Sequence, residues 1–195
     1  WLVSACFASA GPKQKRVETW IDAAIQCKSD LRSELKKVNM PIGSSWVKAK
    51  QKAEPISADV TGQEKLVLVT SGGPDGNDWD WGTWANARLI KADGTSVWLD
   101  ELEPEYWVSG SGSIRKNTDL YGNPLLIGGK KYDHSVLCHA NGVMVYNIGK
   151  EYVRFEAEVG LAEQSTVGSV FFTILNVYPK DEAAALLEKY PKELG

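Results

Sequence analysis

Lys65-Leu66-Val67-Leu68-Val69-Thr70, the turn Ser71-Gly72-Gly73-Pro74-Asp75-Gly76-Asn77, and then Asp78-Trp79-Asp80-Trp81-Gly82-Thr83-Trp84-Ala85-Asn86-Ala87-Arg88-Leu89 decide how this chain is read. The first run is apolar, β-branched and of strand length. Glycine, proline and aspartate close it, as they close strands in general. Three tryptophans follow within six residues of a segment otherwise rich in Gly, Asp and Asn. Indoles are mostly buried, so core packing competes with display for each of them. A loop that shows flat apolar faces beside carboxylates and amides has the groups a sugar ring requires, a C–H face to stack on and fixed partners for hydroxyls.

Outward from this stretch the strand signal repeats. Strands are expected from Leu66 to Thr70, Ala87 to Lys91, Ser96 to Leu99, Leu125 to Ile127, Val143 to Ile148, Tyr152 to Val159 and Ser169 to Val177. Asp93-Gly94 and Gly128-Gly129 are hairpin turns. Arg154, Glu156 and Glu158 alternate with Val153, Phe155, Ala157 and Val159, so one face is wet and the other packs. Short strands with Gly/Asp turns predict an all-β β-sandwich or jelly roll.

The ends read differently. From Lys13 to Val38 the residues Val17, Trp20, Ile21, Ala24, Cys27, Leu31, Leu35 and Val38 trace one apolar stripe at helical spacing. Pro12 suits a first helical turn, and Pro41 with Gly43 ends the pattern. Ser45 is expected to cap a second short helix through Lys52, stopped by Pro55. Asp181 to Lys189 reads as a short C-terminal helix, with Pro191 beyond it. The expected organisation is a helical N-terminal arm over 1–54, a sandwich over 55–178 and a helix with tail over 179–195. The stripe of the arm needs a cover: the sandwich, a protein partner or a second copy in a homo-oligomer.

Composition bounds the function. The chain has 195 residues, 43% hydrophobic and 24% charged, with net charge −3, which is ordinary globular usage. There is no basic face for nucleic acid, and no apolar run of transmembrane length. Lys48, Lys50 and Lys52 read as a solvated face. Cys6, Cys27 and Cys138 are too few for a disulfide framework and form no C-x-x-C. Cys138 and His139 are adjacent, so a strand would send them to opposite faces, and a buried structural Cys138 is expected. Trp1 to Cys6 resembles the end of a lipoprotein signal and Ala8-Ser9-Ala10 a cleavage site. With a lipoprotein reading left open, an extracytoplasmic place in the periplasm, cell envelope or medium is expected.

Several segments resemble the NPCBM family of carbohydrate-binding modules, first noted beside family 98 glycoside hydrolases. Leu66 to Leu89 is similar to its closing pattern, L-x-L-x-V-T, a Gly/Asp turn and D-x-A-D-W-A-x-A-x-L, with Thr83 in place of the second Asp. Val97-Trp98-Leu99-Asp100-Glu101-Leu102 resembles its opening strand. Leu126-Ile127-Gly128-Gly129-Lys130-Lys131-Tyr132 and Val136-Leu137-Cys138-His139-Ala140 resemble its central I-x-L-G-G-K-x-Y-x-x-G-I-G-x-H-A, with Ser135 and Leu137 in place of two glycines. Val145 to Gly149, Tyr152 to Gly160 and Gly168 to Ile174 follow the family patterns too, with the acidic residue after Gly160-Leu161 displaced to Glu163. The closing strands precede the opening ones, which implies a circular permutation joined at Lys91-Ala92-Asp93-Gly94-Thr95, over roughly 55–178. Domain termini that lie close together tolerate such rewiring.

Aromatic faces beside carboxylate and amide oxygens make Trp79, Trp81, Asp78, Asp80 and Asn86 the expected contact set for a glycan or polysaccharide; the resemblance adds His139, which reads equally as a structural residue that pins a bend, and makes Trp84 structural. Asp75, Asn77, Asp78 and Asp80 supply hard oxygen donors in one loop, the ligand type of calcium, although Asp and Asn equally stabilise turns and the spacing is not that of an EF-hand. No other cofactor is indicated. Glu101, Glu103 and Glu105 sit in a surface connection, and no Ser/His/Asp set, phosphate loop or metal triad is present, so an enzyme is not expected. The expected function is a non-catalytic carbohydrate-binding module. The alternative is an assembly subunit that uses the sandwich and arm for protein contacts.

Overall fold

The computed structural model describes residues 41–175. In chain order its strands are β1 (Pro41–Lys48), β2 (Glu54–Asp59), β3 (Lys65–Gly72), β4 (Trp81–Lys91), β5 (Ser96–Trp98), β6 (Tyr106–Val108), β7 (Arg115–Lys116), β8 (Leu125–Ile127), β9 (Lys130–Tyr132), β10 (Ser135–His139), β11 (Gly142–Asn147), β12 (Tyr152–Leu161) and β13 (Ser169–Leu175). One sheet runs β1-β13-β3-β11-β6. The other runs β2-β12-β4-β10-β7, with β5 also on β4, and β8 pairs with β9. The pairings between named strands are antiparallel. The chain alternates between sheets from β1 to β4 and again from β10 to β13, so each long strand is neighboured by strands distant in sequence. That is the connectivity of a jelly roll.

Period-two patterning fills the space between the sheets. Leu66 and Leu68 of β3 and Phe172 and Ile174 of β13 meet Trp84 and Leu89 of β4 and Phe155 and Val159 of β12 in one buried cluster. Trp84 is fully buried, edge-on to Phe172 at 5.3 Å between ring centroids, and its Nε1 donates to Thr70 Oγ1 across the sandwich at 3.1 Å. Opposite Thr70 stands Gly82, where a Cβ would lie 2.4 Å from the threonine methyl. The sheets approach too closely there for a side chain.

The outer faces differ. On the β2-β12-β4 sheet, Arg88, Arg154, Glu156 and Glu158 face water in part, as the alternation predicts. On the other sheet, Val67, Val69, Val143 and Leu175 form a separate buried apolar cluster.

Two expectations are corrected. Ser45 to Lys52 is not a helix: it is the end of β1, a turn at Ala49–Lys50 and the approach to β2. Pairing of β1 with β13, the stacking of Trp46 on Phe171 and the burial of Val47 outweigh the helix-favouring lysines and alanine. Pro41 is accommodated because β1 is an edge strand. The sandwich therefore begins within the segment assigned to the arm. Trp81, Trp84 and Asn86 are not in a loop: β4 spans Trp81–Lys91, central in its sheet between β12 and β10. The helices expected over 13–38 and 181–189 lie outside the described residues. The turns at Asp93-Gly94 and Gly128-Gly129 join β4 to β5 and β8 to β9, with positive φ at all three glycines.

Candidate functional site

Two places on the charged sheet combine aromatic and polar groups. The first is a groove of about 630 Å³ across β2, β12, β4 and β5, lined by Pro55, Ser57, Asn86, Arg88, Trp98, Glu156 and Glu158. Glu156 and Glu158 reach it because they are two apart on β12. Asn86 reaches it because of a bulge: Glu156 pairs with Arg88 but Glu158 with Ala85, so β4 carries an extra residue there, and Asn86 takes φ 46°. Its Nδ2 then donates to Glu158 Oε1 at 2.9 Å.

The groove is a network of fixed charges. Glu156 accepts from Arg88 at 2.9 Å through one oxygen and pairs with Arg154 Nε at 3.0 Å through the other. Glu158 accepts from Asn86, from Lys130 at 2.9 Å and from the Tyr132 hydroxyl at 2.8 Å. Burial raises the Glu158 pKa, but these donors outweigh it and hold the carboxyl below its usual range. Burial and then the Glu158 bond push the Tyr132 phenol up, and the same carboxylate raises Lys130. At the groove wall, the half-buried Trp98 lies flat against His134 (4.3 Å, 10°), with the Arg88 guanidinium 5.9 Å from its ring. His134 is anchored in turn on Asp100 at 3.1 Å.

The second place is the tip where the β3–β4 turn enters β4. Trp79 is 46% exposed at φ 64°, a left-handed conformation rare for a bulky residue. Trp81 is half-buried and edge-on to His139 at 4.6 Å. His139 Nδ1 donates to the Ala140 carbonyl. Burial lowers the His139 pKa, partly offset by that carbonyl and by Asp78. Asp75 and Asp78 are exposed, and Asp75 accepts from the Ser169 hydroxyl. Asp80 is fully buried, and neither carboxylate oxygen has a hydrogen-bond partner. Burial, then the charges of Asp75 and Asp78, push its pKa up to about 8; the nearby Ser169 N–H opposes this without reaching bonding geometry.

The expected contact set is thus divided. Trp79, Trp81, Asp78, Asp80 and His139 share the tip, whereas Asn86 lies in the groove, about 16 Å along the strand from Trp81 at ~3.3 Å per residue. Leu125, Ile127 and Tyr132 of the β8–β9 hairpin pack over Ala85 and Leu137 between the two. Trp84 is core. Arg88, Trp98, Glu156 and Glu158 were not in the expected set. The wet alternation of β12 is the signal that marks the two glutamates. Nothing local marks Trp98, which gains its place through β4 pairing. Cys138 is buried in the inner core while His139 faces the other side, and burial pushes its thiol up to about 12. Among the described residues, no three His, Cys, Asp or Glu side chains converge as a metal cage, and no helix is long and apolar enough to cross a membrane.

The NPCBM/NEW2 domain family model matches residues 39–90 and 95–180. The chain belongs to the NPCBM/NEW2 family. The family match takes in β1 and β2, and its two segments divide at residues 91–94, within the stretch read as the permutation join. The NPCBM match spans both the groove and the tip. No curated protein matches the chain. A solved structure similar to this NPCBM/NEW2 chain is the crystal structure of SPBc2 prophage-derived protein YomS, at 11% identity, covering 69% of this chain and 95% of that one with a TM-score of 0.31. That likeness is too weak to bear on the fold.

Proposed function

We propose that this NPCBM/NEW2 domain is a non-catalytic carbohydrate-binding module whose ligand lies in the groove of Asn86, Arg88, Trp98, Glu156 and Glu158. The observation that carries the reading is the prearranged polar floor beside an aromatic wall, in a cleft of about 630 Å³, the size of a one- or two-sugar site. Carboxylates locked by Arg, Lys, Asn and Tyr offer hydroxyl partners that need no reordering on binding. Trp79, exposed at the tip, is a further aromatic candidate for a longer glycan. An extracytoplasmic setting accords with such a ligand.

Glu156 and Glu158 invite comparison with a glycosidase pair. Two residues apart on one strand face, they stand ~6.6 Å apart along the strand, within the range glycoside hydrolysis uses. That chemistry needs one carboxyl held protonated. Here Glu158 is held below its usual range, and both oxygens of Glu156 are engaged by guanidinium groups. Glu158 is therefore not prepared to act as an acid, which supports binding without turnover.

The test is a glycan array on the full chain, followed by titration of any hit with Glu156→Gln/Arg88→Gln and, separately, Trp79→Ala. Loss of at least tenfold in affinity in the groove variant alone is expected. Equal binding by that variant moves the site out of the groove. No hit across the array counts against the module reading.

A further inference from the structure

We propose that the apolar stripe of residues 13–38 folds back as a helix onto the outer face of β13, β3 and β11, giving the domain a third layer. The proposal is independent of the glycan reading and starts from the strand sequences. Leu66-Val67-Leu68-Val69 of β3 and Val143-Met144-Val145-Tyr146 of β11 are continuous apolar runs. That is the pattern of strands buried on both faces, whereas β12 alternates as a strand with one wet face does. One half of each run, Leu66, Leu68, Met144 and Tyr146, fills the space between the sheets. The other half points away from it. Across the register, Leu175, Val67, Val145 and Tyr106 form one row of that outer face, and Thr173, Val69, Val143 and Val108 form the next.

This face is already sealed within a single chain: Val67, Val69 and Leu175 are each 2% exposed and Val143 5%, so no second copy is required. Among the described residues, the cluster they form draws on no strand or loop beyond β3, β11 and β13. What covers it therefore comes from 1–40 or 176–195, and the arm is the better fit. Pro41, the first residue of β1, is the register partner of Leu175, so the arm ends at a corner of the patch, and Val38 closes the stripe just before it. As a helix, Val17 to Leu35 runs about 27 Å at ~1.5 Å per residue. The eight residues of β3 run about 26 Å at ~3.3 Å per residue. Asp181 to Lys189 would run only about 12 Å, with Leu186 and Leu187 as its large apolar residues. Exposure rises toward the edge strand, where Trp46 is 44% exposed while stacked on Phe171, so the cover centres on β3 and stops short of β1. A stripe used in this way is not available for assembly, and it leaves the charged sheet and Trp79 uncovered.

The experiment uses the full chain carrying Val69→Cys, with Cys6→Ser and Cys27→Ala. The new thiol lies under the proposed helix, and Cys138, in the inner core, reports whether the sandwich itself is intact. Labelling by a maleimide is followed at each cysteine by mass spectrometry. Both should react slowly in the full chain. Deleting residues 1–38, or Leu31→Asp on the stripe, should speed labelling at position 69 about tenfold or more and leave Cys138 protected. Ser33→Asp, on the opposite side of that helix, and deletion of 179–195 should change neither rate. Fast labelling at position 69 in the full chain would overturn the proposal, as would unchanged protection there after deletion of 1–38. So would faster labelling on removal of 179–195 alone, which would make the tail the cover, or protection lost on dilution, which would make it a second copy. If the deleted chain exposes Cys138 as well, the point variants decide: fast labelling in Leu31→Asp beside slow labelling in Ser33→Asp supports the proposal, and equal rates overturn it.

Discussion

Pro41 and Leu175 are register partners on adjacent antiparallel strands. The two ends of the described domain therefore meet side by side, at the position a hairpin turn would occupy. At the opposite break, β4 and β5 are a real hairpin through Asp93-Gly94. Each is a place where neighbouring antiparallel strands can be joined or opened without disturbing the sheets. This is the geometry a circular permutation requires.

A rewired chain tests it. Residues 41–175, joined from Leu175 to Pro41 by a short Gly/Asn turn and opened between Asp93 and Gly94, should fold to the same sandwich. Far-ultraviolet circular dichroism and a cooperative melt would check this. A non-cooperative melt, with the cut placed only there, would show that the present order of strands is needed.

The tryptophans are expected to separate by energy. Trp84→Ala removes a fully buried indole and its bond to Thr70, so a loss of about 3–5 kcal/mol is expected in denaturant unfolding. Trp79→Ala, 46% exposed at the tip, should change stability by about 0.5 kcal/mol or less. Equal costs would place Trp79 in a packed setting.

The outer face of the β3-β11-β13 sheet should behave as core. Val69 is 2% exposed there, so Val69→Asp is expected to cost about 3 kcal/mol or more through a buried, unpaired charge. Arg154→Asp, on the exposed face of the other sheet, should cost about 1 kcal/mol. Chemical denaturation of both variants reads the contrast, and a mild Val69→Asp would mean that this face is wet.

Glu158 gives the fold an acid limb. Its folded pKa lies below the unfolded value, so its contribution is complete above pH ~4.5 and disappears as pH falls through the folded pKa. Lys130, Tyr132 and Asn86 bond it, with Arg88 and Glu156 on the same face. Glu158→Gln should be less stable than wild type by about 1 kcal/mol at pH 7, given partial exposure. The gap should narrow below pH ~4.5 in melts across pH 3–7. A constant gap would mean that the carboxylate charge contributes nothing.

The strand periodicity and turn glycines were legible because they are local. Alternation along Tyr152–Leu161 and the Asp93-Gly94 and Gly128-Gly129 turns carry their signal within a few residues. The misreading of Ser45 to Lys52 has the opposite cause. Its lysines and alanine favour a helix locally, and only the partner strand, more than 120 residues away at Ser169–Leu175, makes it extended. The groove was half legible: Asn86 stood out as an amide among tryptophans, but Trp98 and Glu158 join it through pairings across β4.

The amino-acid order by itself determined an all-β domain, its family, the wet face of β12 and the oxygen-rich turn before β4, because period-two burial, turn chemistry and donor type are properties of neighbouring residues. Tertiary structure alone decided that Trp84 is core while Trp79 is displayed, that Asn86 and His139 belong to different places, and that Asp80 is sealed without a partner. Those facts depend on which distant strands close over a side chain, and burial is a property of the packed sheets, not of the segment.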